Sequence, residues 1–195
     1  MNKNRLEAFS DGVLAMIITI MVLEIKVPHG REWADIKPLL PVFVSYLLSF
    51  IYVGIYWGNH HHLLHSVKKI SSGIIWANFN QLFWLSLIPF STGWVVESDF
   101  ASSAVSLYGI VFVLSGISYT ILQKAVEKHA HDLDELKKAF RNLKKKGIAS
   151  TVLYLSAIPL AYVNPIISVI LYFVVAAIWL IPDKSLERAL TQEVK

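Results

Sequence analysis

Two clusters of side chains in this 195-residue, cysteine-free chain are of the types that do chemistry. The first is Arg5-Leu-Glu7-Ala-Phe9-Ser10-Asp11, set directly ahead of an uncharged apolar run over 12–23. An ionisable group inside a membrane costs about 2.5–3.5 kcal/mol or more unless it faces protein or water, so Asp11 is a candidate for function. Ser10 and Asp11 suit a plainer task equally well, holding neighbouring helices by hydrogen bonds. The second cluster is Asn59-His60-His61-His62-Leu63-Leu64-His65. His61 and His65 stand at i, i+4, a spacing at which neutral imidazoles bind zinc or iron. Membrane metalloenzymes of the desaturase type use several such clusters, and here the remaining histidines are only His29, His129 and His131. No metal centre is expected. Without a thiolate or an evident nucleophile–base pair, neither enzyme activity nor a cofactor is expected.

The elements that carry these clusters follow from composition. The chain is 55% hydrophobic and only 16% charged, with a mean hydropathy of +0.53. Soluble domains carry roughly a quarter charged residues, so both a soluble domain and a disordered chain are excluded. The class is an all-α integral membrane protein, a single domain over 1–195. Uncharged runs cover 12–23, 38–59, 70–96, 100–123 and 147–182. A span needs roughly 20 residues. The first run reaches that length by drawing in Ala8, Phe9 and Ser10 before it and Ile25 and Val27 after it. The last is long enough for two short helices, broken near Pro159, Asn164 and Pro165, with Pro165 in the first turn of the second. Six transmembrane helices result, with both termini on one side.

Charge supports that layout. Of the 18 Lys and Arg, 15 fall on the side of the termini, and only Lys26, Arg31 and Lys37 on the other. Positive residues collect on the cytoplasmic side, so both termini are expected there. The net charge of +4 and pI of about 9.2 therefore express membrane topology. They do not mark a nucleic-acid partner. Lys3 and Arg5 imitate the start of a signal peptide, but Glu7, Asp11 and the lack of a small-residue cleavage site predict that the segment stays. Between spans four and five, 129–146 places acids early and bases late around Leu133, Leu136, Phe140 and Leu143. This pattern predicts a cytoplasmic amphipathic linker helix.

Two stripes run along the first span. Ala8, Gly12, Ala15 and Thr19 are small and permit close helix approach. Phe9, Met16, Ile20 and Leu23 recur at steps of three, four and seven, a pattern that fits either helix–helix packing or the lining of a pore. Thr19 is expected to bond back to the Ala15 carbonyl. In the third span Asn78, Asn80 and Gln81 read as amides joining helices, and Trp57 as part of an interfacial belt. Val53-Gly-Ile-Tyr-Trp-Gly58 faintly suggests a potassium selectivity filter, but it lies inside a spanning run where no extended loop fits.

Arg5-x-x-x-Phe9-Ser10-Asp11, followed by Gly12-Val13-Leu14-Ala15 and a threonine-bearing apolar helix, resembles the signature of the transmembrane protein 175 family. These are lysosomal potassium channels of animals and their bacterial relatives. One six-span repeat without internal duplication is similar to the bacterial form. That resemblance implies a homotetramer in a bacterial inner (plasma) membrane, permeable to monovalent cations with modest preference for potassium. It further implies a pore lined by the first helix, with a hydrophobic constriction at Met16, then Thr19 or Ile20, then Leu23. Arg5, Phe9, Ser10 and Asp11 would anchor its cytoplasmic end against His60 and His61. Methionine departs from the isoleucine or leucine usual at the narrowest layer of that family. The alternative is a secondary transporter of a small ion or solute, which would want a charged midplane site and inverted repeats.

Overall fold

The computed structural model describes residues 2–67, 69–128 and 134–180. It is built of helices: α1 (Lys3–Leu23), α2 (Leu40–His65), α3 (Ser72–Ser86), α4 (Ile88–Glu97), α5 (Ser102–Glu127), α6 (Asp134–Leu160) and α7 (Pro165–Leu180). A 3-10 turn, Trp33–Leu39, leads into α2. No strand occurs among the described residues. Three segments are long and apolar enough to cross a membrane: Lys3–Leu23, Trp33–His65 and Ser102–Glu127; Pro165–Leu180 is apolar but shorter.

Local sequence sets the helix limits. Asn2 caps α1 by accepting from the Asn4 amide, and Ser71 caps α3 by accepting from the Ile74 amide. Asn164 accepts from the Ile166 amide at 2.9 Å, with Pro165 as the first residue of α7, as its fixed φ suggests. The run 70–96 is not one helix as expected. It breaks at Leu87, whose amide bonds only three residues back to Trp84, because Pro89 lacks an N–H and crowds the preceding turn. The linker expected as a separate amphipathic helix is not separate either. From Asp134 onward it is continuous with the following apolar segment as α6, and its first residues, 129–133, lie outside the described residues. With no proline between Asp134 and Ala157, the chain has no reason to interrupt its hydrogen bonds there.

Neighbouring helices α1 and α2 run antiparallel, as do α6 and α7. The Lys3 ammonium donates to the His65 carbonyl at 3.1 Å, joining the start of α1 to the end of α2, where a cation suits the helix dipole. Ser118 on α5 donates to the Gln81 amide oxygen on α3 at 2.8 Å, and the Trp179 indole on α7 donates to Ser150 on α6 at 2.8 Å. At the opposite end of the bundle Lys26 meets Glu97 at 3.4 Å, an exposed pair that adds little.

The larger core draws buried residues from all seven helices, and its aromatic centre lies among α2, α5, α6 and α7. Tyr52, Phe112, Tyr154 and Tyr172 are buried together, and each phenol finds an acceptor. Tyr154 donates to the Tyr52 hydroxyl, Tyr52 to the Tyr172 carbonyl and Tyr172 to the Val105 carbonyl, at 2.9, 2.7 and 3.0 Å. Buried phenols paired in this way keep their apolar area without an orphaned donor. Gly109 lies against this cluster, where a Cβ would overlap the Tyr172 hydroxyl and crowd Ile158. Gly109→Ala is therefore expected to destabilise the protein by about 1–3 kcal/mol, read as a lower melting temperature in detergent. A variant melting with the wild type would show that the packing around Tyr172 yields.

Candidate functional site

The small and bulky stripes of α1 sit where the bundle leaves that helix uncovered. Leu6, Leu14, Ile17 and Met21 face inward and are buried. On the other face Met16, Ile20 and Leu23 are 66, 50 and 76% exposed, and Thr19 is exposed beside them. At 3.6 residues per turn, Phe9, Met16, Ile20 and Leu23 fall within roughly 60° of arc. Thr19 falls on the neighbouring stripe with Ala8, Gly12 and Ala15, all of them exposed. Its hydroxyl donates to the Met16 carbonyl at 2.9 Å, one residue from the expected Ala15 carbonyl. Thr19 is thus satisfied within its own helix. Ile20, not Thr19, shares the Met16–Leu23 line.

The start of α1 is fixed by a polar anchor made from three helices. Ser10 is fully buried and donates to the Leu6 carbonyl at 2.8 Å. The Asn78 amide on α3, also fully buried, donates to the Ser10 hydroxyl at 3.0 Å. Its oxygen lies 2.5 Å from Nε2 of His60 on α2, a side chain 3% exposed. One amide thereby joins α1, α2 and α3. Asp11 stands outside this buried triad and accepts from the Trp57 indole at 2.9 Å. Trp57 in turn stacks on His61, and His61 on His65, with centroids 6.3 and 6.1 Å apart.

The expected partners are brought together, but through intermediaries. Ser10 reaches His60 by way of Asn78, and Asp11 reaches His61 by way of Trp57. Phe9 packs edge-on against Phe79 of α3 at 5.5 Å. Arg5 is exposed, without an ion pair among the described residues. Sequence reasoning missed Trp57, read as an interfacial belt residue, and the specific partners of Asn78. The available signal was position: Trp57 stands one helical turn ahead of His61, at i, i+4, on the same face of α2. His61 and His65 are stacked, yet no third metal-ligating side chain joins them among the described residues.

Comparison with known proteins adds to this geometry. The family described as Endosomal/lysosomal potassium channel TMEM175 matches residues 5–89, which contain nearly all of α1 and the whole of α2 and α3, with the polar anchor. A potassium channel of Chryseobacterium sp. (strain P1-3) is 50% identical over 192 residues, covering 98% of this chain and 100% of that one. The chain belongs to the TMEM175 family. A crystal structure of a lysosomal potassium-selective channel TMEM175 homolog from Chamaesiphon minutus superposes with a TM-score of 0.78. It is 28% identical in sequence, and the match covers 94% of this chain and 97% of that one. The human endosomal/lysosomal proton channel TMEM175 is 31% identical over 101 residues, covering 46% of this chain and 20% of that longer protein. Membership of the TMEM175 family, with its apolar helices, makes this chain a membrane protein.

Proposed function

We propose that this TMEM175-family protein is one subunit of a potassium-permeable channel of the bacterial inner (plasma) membrane, and not an enzyme. Six spans, with α3 and α4 together forming the third, place both termini in the cytoplasm. Four copies of α1 surround the axis. The observation that carries this reading is the uncovered apolar line of Met16, Ile20 and Leu23 on the helix that the family match includes. The small stripe of Ala8, Gly12, Ala15 and Thr19, turned slightly aside, allows the α1 of the next subunit to approach closely.

In this arrangement the constriction is a hydrophobic neck that conducts only when wide enough to stay wet. A neck without carbonyl ligands favours the ion that sheds its water more cheaply, potassium over sodium, and only modestly. No cofactor takes part beyond the permeant ion. The anchor of Ser10, Asn78 and His60 holds the cytoplasmic end of α1 at a fixed height, which sets the register of the neck.

The test is flux through liposomes containing the purified protein, with valinomycin as the positive control. Protein-dependent flux preferring potassium over sodium is expected, with unitary current steps in planar bilayers. Proton flux is measured alongside, because the human relative is named a proton channel. No flux of any monovalent cation from correctly inserted protein, in wild type and also in Met16→Asn with its widened neck, would sink the channel reading; saturating exchange would replace it with a carrier.

Asp11→Ala removes the charged acceptor of the Trp57 indole and is expected to loosen the end of α1. At this exposed position a charge-assisted hydrogen bond contributes about 1.5 kcal/mol, the low end of its range. The expected outcome is a smaller fraction of tetramer by mass photometry in detergent. Tetramers at the wild-type level would remove Asp11 from the assembly role.

A further inference from the structure

We propose that a cavity bounded by α2, α5, α6 and α7 binds an anionic phospholipid from the surrounding bilayer, with one acyl chain inside and the phosphate at Lys124 and Lys144. The cavity measures ≈ 390 Å³, within the range of roughly 300–1,000 Å³ for small-molecule sites. Tyr52 and Tyr154, both buried, are among the residues that line it, and its lining is predominantly apolar. Lys124, near the end of α5, and Lys144, in the first half of α6, line the end closest to the linker joining those helices. No acidic residue lines it among the described residues. The nearby Glu127 carboxylate accepts from the Gln123 amide at 2.7 Å.

Two further features point to an occupant. Tyr119 lines the cavity and is 5% exposed, yet its hydroxyl has no hydrogen-bond partner among the described residues. A buried donor left unpaired costs free energy, whereas a lipid phosphate or ester oxygen would accept from it. The lining also includes exposed aliphatic side chains, Ile117 and Ile121 on α5 with Ile148 and Val152 on α6. In a membrane protein an apolar margin of this kind faces lipid, so a ligand enters sideways from the bilayer. Cationic side chains at the headgroup level with an apolar interior are complementary to an anionic phospholipid.

The proposal is independent of ion permeation, because its readout is bound lipid. Native mass spectrometry of the protein released from nanodiscs of mixed phosphatidylglycerol and phosphatidylcholine counts the lipids retained. Wild type is expected to retain phosphatidylglycerol in roughly tenfold preference, given two lysines at headgroup level. Lys124→Gln with Lys144→Gln should abolish the preference, and the two Arg substitutions should keep it. Gly147 also lines the cavity, and a Cβ there meets no atom within 4 Å, so Gly147→Leu should exclude both lipids without disturbing the fold. Each variant is checked by helical content and elution volume. A photoreactive acyl chain should label α5 and α6. Equal retention of the two lipids by wild type, a preference that survives the Gln pair, or acyl-chain label that falls outside α5 and α6 would each overturn the assignment.

Discussion

Met16→Asn is expected to raise potassium flux by about tenfold or more and to move the reversal potential in mixed potassium and sodium toward the non-selective value. Met16 projects from the uncovered face of α1, and four copies of it would form one layer of the neck. Keeping a side chain of this size out of water is favourable by about 1.5–3 kcal/mol, and the preference for a dry neck grows with every copy. An amide of smaller volume both widens the layer and binds water. A tenfold change in rate needs only about 1.4 kcal/mol, less than one such side chain contributes. Met21 supplies the contrast, being the same residue type but 1% exposed in the core of the subunit. Met21→Asn should lower stability instead of changing selectivity. Unchanged current and reversal potential in Met16→Asn, with incorporation verified, would remove Met16 from the pore.

Asn78→Leu is expected to destabilise the protein by about 2–4 kcal/mol, a larger loss than that foreseen for Gly109→Ala. Leucine fills much the same space but neither donates to Ser10 nor meets the His60 ring. Ser10 keeps its bond to the Leu6 carbonyl, so its loss is modest. His60, 3% exposed, is left with an unpaired nitrogen in the interior, and that accounts for most of the cost. Ser10→Ala breaks one contact of the same triad while leaving Asn78 against His60 and should cost clearly less. Thermal unfolding in detergent ranks the two. Equal melting temperatures for Asn78→Leu and wild type, or an equal loss from Ser10→Ala, would contradict the bridging role of Asn78.

The parts of the fold governed by local chemistry were legible in the sequence. Charge gaps located the apolar segments, and the period of Phe9, Met16, Ile20 and Leu23 marked one side of α1. Asn164-Pro165 marked the start of α7 because a cap and a fixed φ act within a few residues. The break at Leu87 was signalled by Pro89, whose effect an apolar count over 70–96 does not register. The union of 134–146 with the next apolar segment escaped because a change from charged to apolar residues looks like a boundary, although hydrogen bonding along a helix is indifferent to it. The anchor was legible in kind but not in detail. A buried amide predicts a partner on another helix, whereas the choice of Ser10 and His60 for Asn78 depends on how α1, α2 and α3 lie side by side. Trp57 shows the same limit: a tryptophan near a helix end suits the interface, and only the fold shows that Asp11 is the acceptor for its indole N–H.

The uncovered face of α1 has a consequence for how subunits meet. Its side chains are apolar, and the one hydroxyl among them, on Thr19, is already bonded to its own helix. Acyl chains solvate such a surface as well as another protein does, so a lone subunit carries no penalty that drives it to a partner. Association then depends on close packing and on how many chains share a given area of membrane, as any reversible equilibrium in two dimensions does. Were the conducting species a tetramer, as proposed, it would become scarce at low expression in steep proportion, roughly as the fourth power of subunit density. The abundance of the protein would then set how many conducting assemblies exist, whatever opens or closes the neck within each.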